Sequence, residues 1–225
     1  ATLDYRKPRG DADAEVKLQA LLDDTARARL GIDFGSGIMG DRLSADTGVA
    51  LLANTGATAA ALYVLISLLG PISGAHFNPV VSAVMAARGA MSPIAAGAYT
   101  IAQIAGGLLG TLLAHAMFDL PLLQTSTTLR VGVGQFIAEI LATFCLLAVI
   151  LRGSRLPGAS MPTLVSLTIA SAYWFTASTS FANPAVTIAR AFTDTFAGIA
   201  PANVPAFIVA QCLGGALAFL ANRSR

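Results

Sequence analysis

Charge is what this sequence has least of. Asp, Glu, Lys and Arg make up 12% of its 225 residues, against about 25% in a typical soluble domain. That shortage, set beside 55% hydrophobic residues, argues against a chain solvated mainly by water and for one solvated by lipid. A net charge of +2 gives no reason to expect a nucleic-acid partner. Cysteine is nearly absent as well. Cys145 and Cys212 both lie in apolar runs, so they are expected to be inert buried thiols and supply no disulfide framework. No metal-ligand cluster, nucleophile triad or phosphate loop is visible. Neither an enzyme nor a bound cofactor or metal is therefore expected.

The charge that is present is concentrated at one end. Residues 1–30 hold 12 of the 26 charged side chains. They read as soluble or disordered, apart from a helical spacing of Leu18, Leu21 and Leu22 within Asp13–Leu22. No apolar core follows the early basic residues, so this is not read as a cleavable signal peptide. Asp23, Asp24, Arg27, Arg29 and Asp33 argue against a first span, since a central charge costs roughly 2.5–3.5 kcal/mol on insertion scales. The expected division is a charged segment over 1–34 and a membrane domain over 35–225.

Five apolar spans follow, at about 48–70, 95–118, 131–151, 161–180 and 203–221. Each reaches or nearly reaches the ~20 residues needed to cross a ~30 Å hydrocarbon core. Two further apolar segments, Phe77–Arg88 and Ala182–Phe192, are only about half that thickness in length, as expected of re-entrant helices.

A repeat links these parts. His76-Phe77-Asn78-Pro79-Val80-Val81 answers to Phe181-Ala182-Asn183-Pro184-Ala185-Val186, and Gln103 with Gly106 and Gly107 answers to Gln211 with Gly214 and Gly215. Halves of three spans each would insert with opposite orientation, the inverted-repeat plan that puts a transport site at the midplane. Lys/Arg bias sets the direction. With both termini in the cytoplasm, Arg88, Arg152, Arg155, Arg223 and Arg225 fall inside, and Arg42, Arg130 and Arg190 outside.

Each Asn-Pro pair reads as a helix start. Asn caps the orphan N–H groups and Pro fits the first helical position. The residues just before each cap cannot be helical. The backbone carbonyls of Gly74, Ala75, His76, Phe181 and Ala182 must therefore face protein or a water-filled path. Donors from Asn78 and Asn183 beside a line of such acceptors suit water and neutral hydroxylated solutes. Two helix N-termini meeting there would oppose cations.

With these boxes, Asn78-Pro79-Val80 and Asn183-Pro184-Ala185, the chain resembles the major intrinsic protein (aquaporin and aquaglyceroporin) family over about residues 35–222. The resemblance is closest to the bacterial branch associated with arsenic resistance. It implies an all-α membrane protein: an inverted repeat of transmembrane helices plus two half-helices, here with the first helix degenerate or missing. It further implies one pore per subunit, a homotetramer in the inner membrane, and passive passage of water, glycerol-like polyols or undissociated arsenite. Glu139 matches the family's buried glutamate that braces a re-entrant loop. The family's filter arginine is replaced by Val186. The other filter places fall on Thr58, Ser180 and Ser171, or Ala172 if one gap is needed. Arg190, one turn past Val186, is expected to be solvated, His115 near a helix end to be interfacial, and Tyr173 to be a packing residue. The competing expectation is a non-conducting channel relative that serves as a scaffold subunit.

Overall fold

The computed structural model describes residues 26–223; the helix expected within Asp13–Leu22 lies outside them. Among the described residues the regular elements are all helical. They are α1 (Ala26–Leu43), α2 (Thr47–Ser73), the half-helix α3 (Pro79–Ala87), α4 (Pro93–Met117), α5 (Val133–Gly153), α6 (Met161–Phe175), the half-helix α7 (Pro184–Arg190) and α8 (Val204–Ala221). A short 3-10 turn at Pro201–Asn203 leads into α8.

Local chemistry fixes most of the starts. Asp46 caps α2 by accepting from Gly48 N. Ser92 and Ser160 cap α4 and α6, each with a proline in the first turn. Asn78 and Asn183 do the same for the half-helices, again with proline at the first position. A capping side chain satisfies a donor that the helix cannot satisfy itself, and proline has no donor to satisfy.

Helix contacts come in matched pairs. α1 packs on α2 and α4, as α5 packs on α6 and α8. α4 meets both half-helices, and so does α8. α2 meets α6 across the centre, and α3 meets α7. This set maps onto itself when α1–α4 is exchanged for α5–α8, as an inverted repeat requires.

α2, α4, α5 and α8 with its leading turn are long and apolar enough to cross a membrane. Many of their large apolar side chains point outward, Leu68, Ile101, Ile137 and Leu217 among them. Cys212 is exposed and Cys145 half-buried, so the expectation of two buried thiols does not hold. α6, at 15 residues, is about 22 Å long.

The first helix departs from expectation. It is poor in apolar residues, yet α1 is 18 residues long, about 27 Å, and stands where the repeat requires a partner for α5. The division placed between residues 34 and 35 falls inside it. Gly31, Asp33 and Phe34 are all buried. Phe34 and Ile38 pack with Ala114, Val186, Ala189 and Ala197. The charge penalty that argued against this helix applies to an unpaired group, and Asp33 is paired, as described below.

Candidate functional site

The two loops that enter the half-helices have unusual backbones. Gly74, Ala75 and Phe77 have positive φ, and so do Thr179, Ser180 and Ala182. The second set repeats the first at the spacing that separates Asn78 from Asn183. A left-handed conformation costs a non-glycine residue roughly 1–2 kcal/mol. Such strain persists only where the surroundings over-determine it. Here it keeps the carbonyls out of helical pairing just before each cap.

Asn78 and Asn183 meet at the centre. Oδ1 of Asn78 accepts from Val80 N at 3.0 Å, and Oδ1 of Asn183 accepts from Ala185 N at 3.0 Å. Each amide nitrogen then donates across to the other loop. Asn78 Nδ2 bonds Ala182 O, and Asn183 Nδ2 bonds Phe77 O, both at 2.7 Å. Pro79, Val80, Pro184 and Ala185 are buried around them. The two glutamines of the repeat play matching parts. Gln103 Nε2 donates to Ser82 Oγ at 3.2 Å, and Gln211 Nε2 donates to Thr187 Oγ1 at 2.8 Å.

Glu139, fully buried on α5, holds the second loop. Its Oε1 accepts from Ser178 Oγ at 2.6 Å and Phe181 N at 2.9 Å. Its Oε2 accepts from Ala182 N at 2.9 Å and Gln211 Nε2 at 2.6 Å. Arg130 clamps the same region through Gly198 O, Phe196 O and Ser178 O, and lies over the Phe181 ring. On the first-repeat side, a cavity of about 40 Å³ is lined by Gly74, Ala75, His76, Phe77 and Asn78 against the apolar side chains of Leu62, Ile66, Leu146 and Ile150.

Comparison with known proteins gives this geometry its family. Residues 28–176 match the Major intrinsic protein family. The aquaglyceroporin AqpS of Rhizobium meliloti (strain 1021) is 54% identical over 189 residues, which is 84% of this chain and 81% of that protein. The chain belongs to the major intrinsic protein family. It is a membrane channel and not an enzyme. Aquaporin-8 of Notomys alexis is 43% identical over 74 residues, 33% of this chain and 28% of that one. Among solved structures, the aquaglyceroporin from Plasmodium falciparum superposes with a TM-score of 0.63. It covers 95% of this chain and 94% of that chain at 20% identity, a likeness of fold.

The filter positions counted from the major intrinsic protein pattern do not all meet. Thr58, Ser180 and Val186 are buried. Ser171 is exposed and bonds only back to Thr168 O in its own helix. It shares an outward face with Leu167 and Trp174, which are exposed too, as positions i, i+4 and i+7 of one helix do. Ala172, the next residue, is the one that turns inward. Val186 sits in the apolar cluster with Phe34 and Ile38.

Two residues were given the wrong surroundings by sequence, and one a role too small. Arg190 is not solvated: it is 3% exposed and ion-paired with Asp33 at 2.9 Å. His115 is not interfacial but buried, with Nδ1 near Leu122 O and Nε2 near Thr193 Oγ1, both at 2.9 Å. Tyr173, expected only to pack, also donates its hydroxyl to Asp33. The available signal was the presence of one acid and one base in segments otherwise destined for the membrane, where ionisable groups seek each other.

Proposed function

We propose that this chain forms a passive pore through the Asn78–Asn183 pair, and that the pore admits small neutral hydroxylated solutes: water, glycerol-like polyols and undissociated arsenite. The observation that carries the reading is the reciprocal pair of amide donors, flanked by two backbones whose carbonyls are held out of helices. Such a line exchanges hydrogen bonds with a hydroxyl, while the N-termini of the two half-helices that meet there oppose a cation. The likeness to a protein named an aquaglyceroporin supports the polyol part. Thr58, Ser180, Val186 and Ala172 are the small side chains proposed to border the filter. The proposed setting is the inner membrane, as a homotetramer, with both termini cytoplasmic.

The test is parallel flux of water, glycerol and arsenite into vesicles that hold wild-type or Val186→Arg protein at equal density. Arginine at 186 would add a bulky cation beside Ala185 and one turn from Arg190. Triols, which need cross-section as well as hydrogen bonds, should slow far more than water. Wild-type vesicles no more permeable than empty ones would end the channel reading. Equal loss of all three solutes, or no loss of any, would remove Val186 from the filter.

A further inference from the structure

An acid buried in a membrane helix needs partners, and Asp33 has them on three other elements. Its Oδ2 accepts from Arg190 Nη2 of α7 at 2.9 Å. Its Oδ1 accepts from Thr58 Oγ1 of α2 and from the Tyr173 hydroxyl of α6, each at 3.0 Å. One carboxylate on α1 thus ties together α2, α6 and α7. All four residues are buried. Its backbone is fixed as well, because Asn54 Nδ2 donates to Asp33 O at 2.7 Å. Arg190 is held flat from the other side, its guanidinium 4.1 Å from the centroid of the Phe181 ring.

Arg190 Nε in this cluster lacks a hydrogen-bond partner, and so does the buried Oγ of Ser180. Ser180 precedes Phe181, the ring on which Arg190 rests. A buried donor without an acceptor is costly, so a passing hydroxyl would complete the arrangement. The cavity on the far side reaches Asn78, but Thr58, Tyr173, Ser180 and Arg190 do not line it.

We propose that Asp33 and Arg190 are specificity-determining residues: an ion-paired clasp across the Arg190 side of the pore. It holds Arg190 Nε and Ser180 Oγ ready for a neutral hydroxylated solute and closes that side to ions. Because the pair is neutral as a unit, an ion would leave water without gaining a counter-charge. A neutral hydroxyl gives up less hydration and meets a free donor and a free hydroxyl. This rests on the channel reading but can be tested apart from it.

The experiment removes both charges together, as Asp33→Asn/Arg190→Gln, and separately removes one tie, as Tyr173→Phe. Both are made with Ser180→Cys in a chain whose Cys145 and Cys212 are replaced by alanine. The first readout, in detergent, is the rate at which a small trimethylammonium thiosulfonate modifies the introduced thiol. The second, in vesicles, is glycerol and potassium flux without the cysteine changes. Labelling should accelerate about ten-fold in the charge-free pair, the change that a barrier drop of ~1.4 kcal/mol produces, and potassium leak should appear. Tyr173→Phe should move labelling the same way by a smaller factor. Labelling unchanged in folded protein of either variant overturns the clasp, and Tyr173→Phe alone decides it if the double variant does not fold. A wild type that passes none of water, glycerol and arsenite ends the channel reading instead, while the labelling rates still judge the clasp.

Discussion

Glu139 shows how much one side chain decides here. Four donors converge on its two oxygens, two of them backbone N–H groups of a loop with three left-handed residues. Alanine at 139 would strand those donors in the interior, at about 1–3 kcal/mol each. Glu139→Ala should therefore lower the thermal unfolding temperature in detergent far more than Ala138→Gly, a small change one residue away. Glu139→Gln should fall between, because one of its two carboxylate acceptors becomes a donor facing other donors. Equal melting of Glu139→Ala and wild type would show that the loop holds itself. Glu139 was legible because it falls where the resembled family carries its bracing glutamate, and an acid in an apolar run is paired or functional by default. Asp33 was not. Its decisive partner lies 157 residues away, and nothing local names it, so its charge was counted against its own helix.

At the scale of elements, periodicity and capping carried most of the reading. The five spans and both half-helices were legible because length, apolar runs and Asn-Pro starts are local signals. Facing was less legible. Ser171 and Ala172 differ by one position and about 100° of helix turn, and no local feature says which of them turns inward. Packing of α3 on α8 was also hidden. The first box carries Val80, and the space it needs is supplied by Gly215: a Cβ built at 215 would lie 2.3 Å from Val80 Cγ1. Valine is stiff at χ1, so the clash cannot be relieved by a simple rotation. Gly215→Ala should cost about 1–3 kcal/mol as an overpacked contact. Gly215→Ala/Val80→Ala should recover most of that loss. Unfolding of the two single variants and the double variant measures the coupling, and strict additivity would mean that the two residues do not compete for the same space.

The whole molecule is organised by the pairing of its halves, and the bias of its basic side chains sets its proposed direction in the bilayer. Arg152 and Arg155 both bond Asn222 at the end of α8, whereas Arg42 bonds the Phe118 carbonyl just after α4. The proposed orientation puts the first group in the cytoplasm. In sealed cells an impermeant thiol reagent should therefore modify Asp119→Cys and spare Pro157→Cys, and in inverted vesicles the reverse. Modification of both from one side would overturn the orientation. The crossed amide bonds of Asn78 and Asn183 have a further consequence, and it concerns time. Phe77 O and the Asn78 amide find these partners only in a loop made 105 residues later, the distance from Asn78 to Asn183. At about 5–20 residues per second, synthesis of that stretch takes roughly 5–20 s. For that interval the Asn78 amide waits for the carbonyl of Ala182. The motif that makes the pore is thus also an appointment between two parts of the chain, kept only when the second half arrives.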